Sequence, residues 1–223
     1  MRLPRRLFCT ALLGLAAGFS APAALAAEPQ AGTQYVVLQN PQPTDTGKKV
    51  EVTEFFWYDC PHCNAFEPSL EAWVKKQGDK IVFKRVPVAF RDSFIPQQKL
   101  YYALEALGKV DELQARIFRA IHVERQQLET YSQIAAFIAK QPGIDAKKYA
   151  DAYNSFGVQT KARRATQLQA DYQIDGVPTL AIGGRYLTSP SIVAASVGNR
   201  PEPALHEAAL QVADYLVSKS AGK

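Results

Sequence analysis

Two cysteines, Cys60 and Cys63, stand three positions apart where a strand-forming run gives way to a helix-forming one. Residues 50–58, VEVTEFFWY, are β-branched and aromatic, the composition of a buried strand. Asp59 and Pro61 then open a helix that runs to about Gln77, and Gly78-Asp79 ends it. Proline is favoured in a first helical turn, where its missing N–H loses no hydrogen bond. In that turn residues i and i+3 share a face, with Cα atoms roughly 5–6 Å apart, a separation a disulfide accepts. Cys60 lies at the helix start, where free backbone N–H groups and the helix dipole favour an anion. Its thiol pKa is therefore expected to fall. Cys63 lies one turn in and is expected to be buried. The pattern thus predicts one exposed, reactive sulfur and one sheltered, resolving sulfur.

Other chemistry fits a lone C-x-x-C. A zinc site needs four ligands, usually with a second Cys or His pair at short spacing. Beyond residue 26 the chain offers only His62, His122 and His206 besides the two cysteines, with no paired spacing. An inert structural disulfide closing so small a loop would add little stability. His62, between the cysteines, is either a solvated histidine or a group whose N–H or positive charge stabilises a Cys60 thiolate.

The third cysteine belongs to a different segment. Residues 1–26 read as a secretory signal peptide: Arg2, Arg5 and Arg6 form a positive start, residues 7–19 an apolar run, and Ala24-Leu25-Ala26 a cleavage site. The apolar run is shorter than the roughly 20 residues a membrane span needs. Arg5-Arg6-Leu7-Phe8 weakly resembles a twin-arginine signal. Cleavage removes Cys9 and three of the 26 basic residues but no acid, so a net charge of +5 falls to +2. That charge, and the lack of a basic-aromatic run, argue against a nucleic-acid binder. An exported protein with an even pair of cysteines is expected in a compartment that tolerates disulfides.

Along the chain, residues 35–38 predict a short strand, residues 81–88 a second long strand, and residues 96–173 a block of helices. Leu100, Ala103, Leu104 and Leu107 carry the helical spacing. Further helices are expected at 113–121, 134–138, 145–156 and 159–172, with breaks at Gly108, Pro142-Gly143 and Gly157. Strand character returns at 177–182, Gly183-Gly184 makes a two-residue hairpin turn, and residues 185–188 form the return strand. A last helix carries Leu205, Ala209, Val212 and Leu216. The order predicts an α/β fold, a mixed sheet covered on both faces, with an all-helical insertion at 96–173 between parts at 27–95 and 174–223.

The segment EFFWYDCPHCNAFEP resembles the active-site segment of thioredoxin-fold proteins. Together with the helical block, the export signal and the segment NSFGVQTKARRATQLQADYQIDGVPTLAIGGRYLTSP, it resembles the DsbA family of periplasmic thiol:disulfide oxidoreductases. The resemblance implies a thioredoxin-like fold and a catalytic Cys60-Pro61-His62-Cys63. It also implies a cis Val177–Pro178 bond in a loop that pairs with substrate peptide, a structural Pro68, and a supporting charged pair, Glu54 and Lys84, near the buried sulfur. Parity with Val50, Val52 and Phe56 directs Glu54 into the core, where it could exchange a proton with Cys63. The implied activity donates a Cys60–Cys63 disulfide to newly exported proteins, with no cofactor beyond that disulfide and no metal. The implied partners are reduced or unfolded exported proteins and a DsbB-type membrane quinone reductase. A monomer in the periplasm is expected. A reductase or isomerase of the same fold, or a non-enzymatic peptide-binding module, are the competing readings.

Overall fold

The computed structural model describes residues 28–198 and 200–221. The export signal read at residues 1–26 lies outside them. Five strands form one mixed sheet: β1 (Val36–Val37), β2 (Val50–Phe56), β3 (Ile81–Pro87), β4 (Thr179–Ile182) and β5 (Tyr186–Thr188), in the order β1-β5-β4-β2-β3. β2 and β3 run parallel, joined through α1 (Pro61–Gln77), while β2–β4, β4–β5 and β1–β5 are antiparallel. Between β3 and β4 the chain builds α2 (Ile95–Ala106), α3 (Val110–His122), α4 (Tyr131–Ile138), α5 (Ala146–Asn154) and α6 (Phe156–Asp171). After β5 come α7 (Pro190–Val197) and α8 (Glu202–Ala221).

Every residue of β2 is buried, as a central strand covered on both faces requires. One core packs Phe55 and Phe56 with Leu100, Leu104, Leu113, Ile117 and Ile134 of the inserted helices. The second packs Val50, Val52, Leu180 and Ile182 with Phe66 and Leu70 of α1 and Ala209, Val212 and Leu216 of α8. The sheet is thus held between two helical layers, and both layers reach the C-terminal end of β2 where α1 begins.

Local chemistry sets the boundaries. Gly78 closes α1 at φ 55°, a left-handed position that glycine takes without steric cost. Gly183 and Gly184 turn the β4–β5 hairpin at φ 59° and 64°, and a Cβ on Gly184 would run into the Gln42 carbonyl. Three expectations are corrected. The break between α5 and α6 falls at Ser155, whose hydroxyl accepts from the Val158 N–H as an N-cap, and Gly157 lies inside α6. The strand expected from residue 177 begins at Thr179, after the proline. The chain after β5 forms two helices rather than one, α7 being capped by Ser189 with Pro190 in its first turn.

Candidate active site

The end of β2 delivers Trp57, Tyr58 and Asp59 to the start of α1. Tyr58 is buried and donates its hydroxyl to Gln114 Oε1 at 2.8 Å. The Tyr58 carbonyl lies 2.8 Å from His122 Nε2. Trp57 stacks flat on Phe94, with ring centroids 3.7 Å apart. These contacts anchor the strand–helix junction to the helical layer.

Cys60 is the N-cap of α1, and its sulfur accepts the Cys63 N–H at 3.4 Å, with Pro61 in the first turn. Both cysteines are free thiols. A hydrogen bond from the Cys63 thiol, helped by the backbone N–H groups of Cys63 and His62 and by the His62 charge, outweighs burial and lowers the Cys60 pKa from 9.0 to about 6. Cys63 has no exposed surface. Burial pushes its pKa well above 9.0, and the neighbouring Cys60 and Glu54 charges push the same way. The two sulfurs are more alike in access than the spacing suggested, since Cys60 is only 8% exposed. Their difference lies in electrostatics.

The Val177–Pro178 peptide bond is cis. The loop it belongs to reaches the sulfur: Cys60 Sγ lies 3.5 Å from the Val177 carbonyl oxygen, a contact a thiol makes as donor. Thr179 ties the loop back on itself, its hydroxyl donating to the Gly176 carbonyl at 2.8 Å.

Glu54 is completely buried, as its strand parity implied, but its partner is not Lys84. Arg85 Nε donates to Glu54 Oε2 at 3.0 Å, and Arg85 Nη2 donates to Glu67 Oε1 at 2.7 Å. Lys84 instead bonds Asp45 at 2.8 Å and Glu51 at 2.7 Å. The register explains the correction. Glu54 stands directly opposite Arg85 across the β2–β3 pair, and Lys84 stands opposite Thr53. Neighbours along a strand point to opposite faces, so Lys84 and Glu54 cannot meet. Two buried carboxylates share one guanidinium, and Glu54 Oε1 and Glu67 Oε2 have no hydrogen-bond partner. Burial raises the pKa of both, and with the Glu54 charge it brings Glu67 from 4.5 to about 8. Burial thus favours the protonated forms of this pair, and Glu54 acts electrostatically on Cys63.

His62 does not turn to Cys60. Its Nδ1 lies 2.7 Å from Glu202 Oε1, at the start of α8. Pro68, five residues past Cys63, lies inside α1 without ending it. Sequence reasoning missed Arg85, Glu67 and Glu202. Glu67 carried a signal, since it stands one helical turn after Cys63 on the same face of α1. Glu202 carried none, lying 140 positions from the residue it touches. A cavity of about 860 Å³ lies elsewhere, between β3 and α2 and α6, lined by Lys84, Arg85, Glu105, Lys161, Arg164 and Tyr172.

The DSBA-like thioredoxin domain model matches residues 93–209. A thiol:disulfide interchange protein DsbA from Burkholderia cepacia is 47% identical over 218 residues, covering 96% of this chain and 97% of that protein. The chain belongs to the DsbA family. The DsbA of Bordetella pertussis is 42% identical over 215 residues, covering 96% of each chain. The crystal structure of Pseudomonas aeruginosa DsbA superposes with a TM-score of 0.78 at 34% identity, covering 87% of this chain and 95% of that one. The DsbA fold thus accounts for both the mixed sheet and the helices inserted between β3 and β4. No helix among the described residues is long and apolar enough to cross a membrane.

Proposed function

We propose that this DsbA-family thiol:disulfide oxidoreductase donates a Cys60–Cys63 disulfide to newly exported proteins. The observation that carries the reading is the N-cap position of Cys60, with its lowered pKa, against the cis Val177–Pro178 loop. In the reaction a substrate thiolate attacks Cys60 Sγ. The Cys60–Cys63 bond breaks, a mixed disulfide forms on Cys60, and Cys63 leaves as a thiolate that takes up a proton. A second substrate thiolate then attacks the substrate sulfur of the mixed disulfide. Cys60 leaves as a stabilised thiolate. Two electrons pass from the substrate dithiol to the protein, and the substrate gains one disulfide.

A stabilised Cys60 thiolate makes the reduced protein favourable, which is the condition for an oxidant. Cys63, with its raised pKa, needs a proton as it leaves, and the shared proton of Glu54 and Glu67 is the near source. Val177 and Pro178 would line the substrate peptide, while Pro61 and His62 shape the Cys60 environment. Lys84 has no place in this chemistry and holds Asp45 and Glu51 instead. The redox-active disulfide is the only cofactor in the reading. Residues 27–95 and 174–223 carry the exchange site, and 96–173 is the insertion. Removal of residues 1–26 would leave a periplasmic protein acting as a monomer on reduced, unfolded proteins, reoxidised by a DsbB-type membrane quinone reductase, with no nucleic acid involved.

The test is oxidation of a reduced dithiol peptide by the oxidised protein, read as peptide disulfide formed per protein. One disulfide per protein, with an oxidised form less stable than the reduced form, is the expected result. An oxidised form more stable than the reduced form would point to a reductase instead.

A further inference from the structure

The start of α8 meets the start of α1 at a cluster the exchange reaction has not used. Glu202 Oε1 lies 2.7 Å from His62 Nδ1 and 3.7 Å from His206 Nε2. His206 sits one helical turn after Glu202 on α8 and is 3% exposed. Its ring lies against Phe66 of α1, with centroids 5.1 Å apart, and its Nε2 has no hydrogen-bond partner. One carboxylate thus stands between an active-site imidazole and a buried one.

The titratable groups bearing on this cluster are Cys60 and His62 at the start of α1 and Glu202 and His206 from α8. Their charges sort themselves. Burial lowers the His206 pKa and keeps that ring neutral. The Glu202 hydrogen bond raises the His62 pKa, and a Cys60 thiolate adds to the rise. A protonated His62 donates Nδ1–H to Glu202, and its positive charge acts through space on Cys60, favouring the thiolate that leaves in the second exchange step. Neutral His206 offers the carboxylate no competing charge and packs the root of α8 against α1.

We propose that Glu202 is a positioning residue for the exchange reaction: it holds the His62 ring by Nδ1 at the start of α1, so that the charge of that ring bears on Cys60. The start of α8 then sets how far below neutrality Cys60 works as a thiolate. The inference rests on the reading of Cys60 as the exchanging sulfur. His62 and Glu202 side chains are 70% and 42% exposed, so solvent screens the pair. A screened pair of this kind changes a protonation constant by about twofold to fivefold.

The test uses the full-length mature protein in its reduced form, with Glu202→Gln, His62→Ala and the double variant. The His62 ring titration is followed by NMR, and the rate of iodoacetamide alkylation is followed against pH with the adduct mapped by mass spectrometry. In Glu202→Gln, His62 protonation should weaken by about twofold to fivefold, and alkylation of Cys60 between pH 6 and 7 should slow by about twofold. In the His62→Ala background the same substitution should change neither the rate nor its pH profile, which a purely structural effect on α8 would not respect. An unmoved His62 titration, or an equal slowing with and without His62, overturns the inference while leaving Cys60 in place. An adduct on Cys63 rather than Cys60 overturns the underlying reading and the inference with it.

Discussion

Cys60 and Cys63 are the same side chain one helical turn apart, and the fold sends them in opposite directions. Cys60 caps α1, accepts the Cys63 N–H, and is brought down to about 6. Cys63 faces the sheet beside two carboxylates that share one arginine, and is pushed well up. The helix start offers hydrogen-bond donors that have no other partner. The interior one turn later offers only low polarity and negative charge, both of which disfavour a thiolate. A disulfide across these two environments is polarised before any substrate arrives: breaking it puts the favourable thiolate on one named sulfur.

The comparison can be broken most forcefully at Cys60. Cys60→Ser should reduce peptide oxidation on the order of a thousandfold or more, as loss of a nucleophile does, in a dithiol-oxidation assay. Retained activity would remove Cys60 from the mechanism.

Arg85→Ala tests the interior half. It leaves Glu54 and Glu67 buried without a cation, a loss of about 3–5 kcal/mol for a broken buried pair. Denaturant unfolding of the reduced variant measures it, and a cost below about 1 kcal/mol would mean that the carboxylates are protonated without help from Arg85.

The pH dependence of stability separates the two halves by sign. A thiol whose pKa is depressed on folding stabilises the folded state at high pH. The Cys60 contribution should be complete above about 9 and lost as pH falls to about 6. Glu67, raised on folding from 4.5 to about 8, works the other way, and its contribution is lost as pH rises through that range. The stability difference between reduced wild type and Cys60→Ser isolates the first effect and should grow from pH 6 to pH 9. A difference independent of pH would contradict the lowered Cys60 pKa.

The smallest effect sharpens the choice between adjacent cations. Lys84→Gln breaks partly exposed bonds to Asp45 and Glu51. It should cost under about 1 kcal/mol and leave peptide oxidation unchanged, in contrast to Arg85→Ala. A Lys84 effect as large as that of Arg85 would restore the Glu54–Lys84 pairing.

What the sequence made legible was local. The composition of residues 50–58, the proline after Cys60 and the glycine after Gln77 placed α1 at its observed bounds and β2 within two residues of its end at Phe56. The Gly183-Gly184 turn was legible for the same reason, because a two-residue hairpin demands that backbone. Non-local matters were hidden. The partner of Glu54 depends on the β2–β3 register, set between strands that the seventeen-residue helix α1 joins, and one position along β3 exchanges Lys84 for Arg85. Glu202 meets His62 only because α8 packs beside α1. The α5–α6 boundary lies at the Ser155 cap rather than at Gly157, because a side chain that caps a free N–H decides a helix start where a glycine only permits a break.

The central claim is that the α1 start, rather than exposure, makes Cys60 the working sulfur. The most direct measurement is the ultraviolet absorbance of thiolate in the reduced protein as pH is raised, with the first-ionising sulfur located by alkylation and mass spectrometry. One thiolate should form with a midpoint near pH 6, carried by Cys60, with Cys63 still protonated well above pH 9. A first midpoint at the ordinary cysteine value of about 8.5, or a first thiolate on Cys63, would contradict the account.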